Sequence, residues 1–221
     1  MSSLTPEAIE QRKHAPAVPG VLEVVLQRWS PRAFAHKEIP GAELRKLFEA
    51  ARWAASSSNE QPWRFLVGRR EDETYRKIFD CLLGFNRSWA GNAPVLILSA
   101  AKKTFSSQPS PNRFALHDLG AATANLSLQA TALGMHTHSM AGFDAEKARA
   151  FFAIPTDFEI GAVTAVGYMG DPGELNEALR TREEALRQRK PIEEFVFSAW
   201  ETPADLQGSQ SAVAGKKEET R

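Results

Sequence analysis

Cysteine is nearly absent from this chain, and neither sign of charge is in excess. Cys81 is the only cysteine among 221 residues, which excludes an internal disulfide and indicates a reducing compartment. It lies in an apolar, helix-like stretch, where a free cysteine usually packs as a small hydrophobic side chain. Lys plus Arg and Asp plus Glu both total 27, so no net field would concentrate nucleic acid or an anionic membrane around the chain.

Long hydrophobic runs are also missing. Charged residues and prolines interrupt the N-terminal region, and Glu23 breaks the apolar stretch from Val21 to Leu26, so no signal-peptide core is present. The longest apolar run, residues 94–101, is far too short to span a bilayer. We therefore expect a cytoplasmic protein that binds neither membranes nor nucleic acid.

Several common site signatures do not occur in the sequence. It contains no Gly-x-Gly-x-x-Gly, no Walker A loop and no Gly-x-Ser-x-Gly elbow, which disfavours Rossmann, P-loop and α/β-hydrolase sites. His136 and His138 could share one face of a strand, but no third ligand stands at a recognisable spacing. We predict no metal site.

The length and the ordinary hydrophobic content, 43%, suit one compact α/β or α+β domain. We assign this domain to residues 20–200, after an N-terminal leader segment of residues 1–19. The following residues 201–221 are polar and small and end in charges, which predicts a disordered tail.

Hydrophobic periodicity predicts helices and strands throughout the domain. Helices are expected near residues 21–27, 41–55, 71–83, 113–133, 144–153 and 173–188, and strands near residues 63–67, 95–100, 135–140 and 158–168. Small and apolar residues cover nearly all sides of the helix at 113–133, which suits burial at a domain or subunit interface. Residues 192–197 look extended, and residues 102–112, with Pro109 and Pro111, could form a mobile flap.

Polar clusters stand between these elements, and together they resemble the nitroreductase family. That family carries an Arg-Arg-Ser-x-Arg-x-Phe start, a Pro-Ser-x-x-Asn-x-Gln-Pro-Trp loop, a small-Gly-Phe-Asp turn, a Gly-Tyr strand end and a late Arg-Lys-Pro. The corresponding residues here are Arg28-Trp29-Ser30-Pro31-Arg32-Ala33-Phe34, Ala55-Ser56-Ser57-Ser58-Asn59-Glu60-Gln61-Pro62-Trp63, Ala141-Gly142-Phe143-Asp144, Gly167-Tyr168 and Arg189-Lys190-Pro191. Each cluster alone also fits a solvated helix end or an ordinary turn. Their joint order over about residues 20–198 favours the family.

The resemblance implies an α+β nitroreductase-like fold, with helices flanking a mixed central β-sheet and an extended C-terminal arm docking on a partner subunit. It also implies an intertwined homodimer with a tightly bound FMN at each interface site. The implied cofactor-binding residues are Arg28, Ser30, Arg32, Ser56, Ser57, Asn59, Ala141, Gly142, Arg187 and Arg189. No catalytic side chain is implied, because the flavin performs the chemistry.

The residue types fit these implied roles. Guanidinium groups bind phosphate oxygens in a bidentate manner, which suits Arg28, Arg187 and Arg189 for the FMN phosphate, with Ser30 adding a hydroxyl. Arg32 is implied at the ribityl chain or the pyrimidine edge of the flavin. Ser57 and Asn59 offer compact donors and acceptors, and the backbone at Ala141-Gly142 allows close approach of the ring.

The implied reaction is ping-pong transfer of hydride from NADH or NADPH, through FMN, to a nitroaromatic, a quinone or a similar small acceptor. Two alternatives stay open: a dehydrogenase or dehalogenase of the same fold that does not use NAD(P)H, and a catalytically idle flavin-binding or interaction protein. Trp89, Phe105, Phe114 and His138 could line the substrate side, although aromatics more often pack. The sequence departs from the family pattern at Trp29, Pro31 and Ala55.

Overall fold

In the computed structural model, residues 4–108 and 110–206 are described, and the chain divides into units Met1–Leu186 and Arg187–Arg221. The helices described in the first unit are α1 (Pro6–Lys13), α2 (Glu23–Gln27), α3 (Gly41–Arg52), α4 (Glu73–Cys81), α5 (Gly84–Ala90), α6 (Ala115–Ala132), α7 (Ala145–Phe152) and α8 (Glu177–Glu184). Its strands are β1 (Trp63–Arg69), β2 (Val95–Lys102), β3 (His136–Met140) and β4 (Phe158–Gly167). Short 3₁₀ helices occupy Ser57–Asn59 and Pro172–Glu174. This inventory confirms the α+β class.

The four strands of the first unit form one sheet in the order β1-β2-β4-β3. β2 pairs with β1 on one side and with β4 on the other, so that Leu98 lies opposite Leu66 and Val163. β3 closes the other edge, with Thr137 opposite Val166. All three pairings described in this sheet are antiparallel, so the parallel pairing that a mixed sheet requires is not among them.

The core lies on both faces of the sheet because alternate residues of a strand point to opposite faces. Leu96 and Leu98 of β2 belong to a cluster with the buried side chains of α4, α5 and α7. Val95 and Ile97 belong to a second cluster with α3 and α6. β2 is buried from Val95 to Ala101, which explains why its sequence is a continuous apolar run.

Most helix and strand predictions are confirmed, with three differences. The helix predicted at 71–83 is α4; the chain then becomes extended at Leu82 and enters α5, a second helix that was not predicted. The helix predicted at 173–188 is confined to α8, which begins after Asn176, whose side chain caps the Leu179 N–H. The leader segment contains α1, which was not predicted because its sequence buries only Ile9 and Lys13.

Cys81 ends α4 in the core and is almost fully buried. Burial raises the pKa of its thiol, so the reactive thiolate is disfavoured. The prediction of a structural cysteine is therefore confirmed.

The second unit contains a 3₁₀ helix at Ile192–Glu194 and a hairpin of β5 (Phe197–Ala199) with β6 (Thr202–Pro203). The expectation of extended backbone over 192–197 is wrong at its start, because the Glu194 and Phe195 N–H groups bond back to the carbonyls of Pro191 and Ile192. Pro109 of the predicted flap and residues 207–221 of the predicted tail lie outside the described residues. Across the part of the chain that is described, no helix is both long and apolar enough to cross a membrane.

Candidate functional site

The segment from Arg28 to Ala33 follows α2 and forms neither helix nor strand. Arg28 is the C-terminal cap of α2 with ψ 122°, and Pro31 prevents the helix from continuing. Trp29, Pro31 and Ala33 are buried, whereas the predicted site residues Arg28, Ser30 and Arg32 are half-buried. Arg28 donates to the Ser30 hydroxyl across 3.3 Å from Nη1. The alternation typical of extended chain thus presents two guanidinium groups and a hydroxyl from one short segment.

Side chains from two distant elements hold this segment. Glu183 of α8 accepts through Oε1 from the Arg32 N–H at 2.7 Å and from the Ala33 N–H at 3.0 Å. His138 of β3 bonds the Pro31 carbonyl through Nδ1 at 2.8 Å, with Nδ1 as the donor. These bonds satisfy the Pro31 carbonyl and the N–H groups of Arg32 and Ala33. The segment is therefore held in place although it belongs to no helix or sheet.

Burial governs the ionisation of the two partners Arg32 and Glu183. Arg32 Nη1 lies 3.7 Å from Oε2 of Glu183, whose side chain is 0% exposed. Burial raises the pKa of the Glu183 carboxyl, against the opposing effects of its backbone hydrogen bonds and of Arg32. Burial likewise lowers the pKa of the Arg32 guanidinium. Both pKa shifts disfavour the charged forms. At 3.7 Å the attraction between Arg32 and Glu183 does not offset the hydration that both groups lose on burial.

His138 contributes no charge to the site at neutral pH. Burial lowers its pKa to about 4, and the nearby Arg32 and Arg28 charges add to that effect. Its ring lies 4.5 Å from the ring of the buried Trp89, which in turn stacks on Phe34 at 6.2 Å. The expected packing role of Trp89 is confirmed.

The Ala141-Gly142 turn follows β3 and is fixed by α5. The Gly142 carbonyl accepts from Asn86 Nδ2 at 3.0 Å and from the Leu83 N–H at 3.1 Å. A Cβ at Gly142 would lie 2.7 Å from Asn86 Nδ2, so a larger residue here would displace the Asn86 amide. The neighbouring Phe85 ring lies 5.8 Å from the Arg32 guanidinium carbon. α5 therefore connects the turn to the Arg28–Arg32 segment.

The loop at Ser56–Gln61 is tightly constrained. Ser58, Asn59 and Gln61 have φ values of 54°, 55° and 52°, a left-handed conformation that costs energy for residues other than glycine. The Ser57 N–H bonds Asp118 Oδ2 on α6 at 3.0 Å, and the Ser56 hydroxyl accepts from the Gln61 N–H at 3.0 Å. Clustered backbone strain of this kind is typical of functional loops.

The structure separates this loop from the Arg28–Arg32 segment within one chain. Ser57 is held at Asp118, near the start of α6, whereas Trp29 lines a cavity with Thr131 and Gly134 at the end of that helix. At 1.5 Å per residue, these two ends of α6 lie roughly 20 Å apart. The predicted residues Arg28, Ser30, Arg32, Ala141 and Gly142 are thus brought together, and Ser56, Ser57 and Asn59 are not.

Arg187 and Arg189 belong to the second unit. Arg187 is half-buried, and Arg189 is exposed and donates to the Gln188 carbonyl at 2.7 Å. Their predicted role at a phosphate stays a prediction.

Glu183 was missed by sequence reasoning. It stands in a charged helix and reads as a solvated residue, yet it follows Leu175 and Leu179 at intervals of four residues. All three side chains are buried. A glutamate on the apolar stripe of a helix is therefore the signal that identifies it.

Known proteins are similar to most of this chain. The nitroreductase family model matches residues 25–87 and 70–168. A solved structure described as an oxidoreductase containing FMN is 32% identical, with a TM-score of 0.78 over 83% of this chain and 94% of that chain. An uncharacterized 15.4 kDa protein of Mycolicibacterium smegmatis is 36% identical over 63% of this chain and 99% of its own length.

A further relative comes from Archaeoglobus fulgidus and carries the provisional name NADH dehydrogenase/NAD(P)H nitroreductase. It is 29% identical over 71% of this chain and 90% of its own length. Because the family model matches more than half of the residues, the chain belongs to the nitroreductase family.

Proposed function

We propose that this protein is an FMN-dependent oxidoreductase. In the proposed reaction, hydride passes from NADH or NADPH, through FMN, to a nitroaromatic, a quinone or a similar small acceptor. The observation that carries the proposal is the Arg28–Arg32 segment, in which two arginines and Ser30 are presented by backbone that Glu183 and His138 hold in place. The solved relative that contains FMN supports the same cofactor.

The residues present fit a flavin mononucleotide. Arg28 and Ser30 already share a hydrogen bond, and both can turn toward a phosphate, which takes bidentate and charge-assisted bonds from guanidinium groups. His138 beneath them is neutral at pH 7, so the positive charge comes from arginines that stay protonated. Gly142 carries no side chain, so a flat ring could approach its backbone closely, and Asn86 holds its carbonyl in place.

Each part of the chain has a limited task in this proposal. When bound, FMN supplies a ring system that accepts and returns hydride. Arg28 and Ser30 would hold the phosphate, and Arg32 would stabilise negative charge at the ribityl chain or the pyrimidine edge. The backbone at Ala141-Gly142 would border the ring, and Ser57 and Asn59 would bind ribityl hydroxyls or the ring edge. Arg187 and Arg189 would complete the phosphate site.

We further propose a homodimer with FMN at the interface. The distance of roughly 20 Å along α6 is the reason, because one chain does not place its Ser56–Asn59 loop beside its own Arg28–Arg32 segment. The loop of a second copy would meet the segment instead. In the second unit Phe195 is 58% exposed and Trp200 87% exposed, which suits an arm that docks on a partner.

The function is tested by anaerobic titration. We expect the purified protein to bind FMN, and we expect excess NADH or NADPH to bleach its flavin absorbance; a nitroaromatic or quinone should then restore the colour. The name of the archaeal relative supports a nicotinamide donor. If the protein takes up no FMN, the assignment of FMN as its cofactor is wrong. A yellow protein that neither nicotinamide bleaches favours the same-fold dehydrogenase or dehalogenase, or an idle flavin-binding protein.

Sedimentation equilibrium tests the assembly. We expect the FMN-containing species to have twice the 24.4 kDa mass of one chain. FMN-free and FMN-loaded samples are compared at the same protein concentration. A monomer that retains FMN would show that the interface site is wrong while leaving the cofactor assignment intact.

A further inference from the structure

Glu183 is a fully buried carboxylate that the proposed chemistry does not use. Its side chain is 0% exposed and lies on the face of α8 that also buries Leu179. Burying a carboxyl group is costly unless hydrogen bonds or opposite charges compensate. The contacts of Glu183 therefore indicate which part of the structure the buried carboxyl group stabilises.

These contacts converge on one residue of the candidate site. Oε1 receives the N–H groups of both Arg32 and Ala33, and Oε2 faces the Arg32 guanidinium at 3.7 Å. Oε1 thus fixes the backbone of the segment, whereas Oε2 is too far from the guanidinium group for a hydrogen bond. Without it, two adjacent N–H groups would lose their acceptor at once.

A second buried charge holds α8 in position. Lys13 of α1 is only 5% exposed and donates from Nζ to the carbonyls of Ala185 at 2.5 Å and Arg182 at 3.4 Å, at the end of α8. Its charge also acts on Glu183. The ammonium group stands where a helix C-terminus favours a cation. α1 therefore supports the helix that carries Glu183.

We propose that Glu183 is a positioning residue that sets the Arg28–Arg32 segment for binding the FMN phosphate. This inference rests on the proposed function, because it assumes that the segment binds that phosphate. Glu183 itself touches no ligand in this scheme and acts through Arg32 and Ala33. The backbone that it holds also carries Arg28 and Ser30, the residues proposed to bind the phosphate, so its effect should fall on the phosphate rather than on the flavin ring.

Comparison of the affinities for FMN and riboflavin distinguishes a positioning role from a merely structural one. It carries the same ring and ribityl chain as FMN but lacks the phosphate. A residue that only maintains the fold lowers the affinity for both flavins together with the thermal midpoint. A residue that positions the phosphate-binding segment lowers the affinity for FMN alone.

The experiment measures the Kd of FMN and of riboflavin by fluorescence titration of the full-length apoprotein, with thermal unfolding in parallel. Glu183→Leu removes the acceptor, and we expect FMN to bind about tenfold more weakly while riboflavin affinity is unchanged. Glu183→Gln keeps a carbonyl oxygen for both N–H groups but loses the charge, so it should weaken FMN binding by about threefold and leave riboflavin binding unchanged. Arg28→Ala is the benchmark for loss of a phosphate contact. Glu184→Gln, the adjacent and more exposed carboxylate of α8, is the matched control and should change neither Kd.

The outcomes separate this inference from the proposed function. A wild-type protein that binds FMN no better than riboflavin overturns the phosphate assignment, and the role of Glu183 falls with it. If wild type prefers FMN but Glu183→Leu keeps that preference, or weakens both flavins equally, the positioning role alone is wrong. Should Glu183→Leu not fold, a Glu183→Gln variant indistinguishable from wild type in its preference, rather than weakened by about threefold, overturns the inference.

Discussion

Replacement of Gly170 by alanine is expected to lower the free energy of unfolding by about 3 kcal/mol or more. An added Cβ would lie 2.5 Å from the Phe34 carbonyl carbon and 2.7 Å from the Ala35 nitrogen. These are backbone atoms, and they cannot turn away as the end of a flexible side chain can. The Gly170 N–H also bonds the Ala33 carbonyl at 3.0 Å, so relief of the clash would break a contact that holds the candidate site.

Gly41→Ala is the matched control for this prediction. Gly41 begins α3, and its added Cβ would meet only the end of the Arg69 side chain, at 3.9 Å. Its free energy of unfolding should stay within about 0.5 kcal/mol of wild type. Urea denaturation of both variants measures the two changes, and FMN affinity of Gly170→Ala is read under conditions where it is folded. Equal stability of the two variants would show that the chain at Phe34 and Ala35 moves freely, contrary to the contacts described here.

The sequence predicts best the elements that are buried along one regular face or on both faces. β2 is buried on both faces and reads as an apolar run, and α3 shows one apolar stripe, so both were predicted from periodicity. The short helix α5 was not predicted, because only Trp89 and Ala90 of its seven residues are buried. It is separated from α4 by Leu82 and Leu83, whose backbone is extended. The chain extends there because the Leu83 N–H bonds the Gly142 carbonyl, a contact from a distant part of the sequence.

In the candidate site, too, the residues of a local motif were predicted and the residues that hold them were not. Arg28, Ser30 and Arg32 follow from a local motif, and the structure presents them together in one extended segment. The groups that hold this segment, Glu183 and His138, come from residues more than a hundred positions away. Tertiary contacts of this kind leave little local signal, apart from the position of Glu183 on an apolar stripe.

The backbone strain in the Ser56–Gln61 loop could not be predicted from the sequence either. Serine, asparagine and glutamine predict a turn, but none of them requires φ near 54°, the value that Ser58 adopts. The conformation persists because Asp118 binds the Ser57 N–H and Ser56 binds the Gln61 N–H. A rigid loop and a rigid Arg28–Arg32 segment therefore need no reorganisation to meet a ligand, which lowers the cost of binding.

The largest pH effect is expected at His138, and it follows from its burial. The folded state protonates this ring only near pH 4, whereas an exposed histidine does so near its usual pKa of 6.5. Between these values the unfolded state binds more protons, so acidification favours unfolding. Stability contributed by neutral His138 is present above about pH 6.5 and is lost as the pH falls toward 4. Over the interval from pH 7 to pH 5, the loss should be about 2 kcal/mol.

His138→Asn isolates this effect, because the asparagine amide can still donate to the Pro31 carbonyl but does not titrate. Urea denaturation of both proteins at pH 7 and pH 5 gives the difference in their free energies of unfolding, in which all other titrating groups cancel. That difference should shift by about 2 kcal/mol in favour of the variant at pH 5. Parallel pH profiles of wild type and His138→Asn would mean that folding does not lower the pKa of His138, so that the ring beside Arg28 and Arg32 is charged at pH 5.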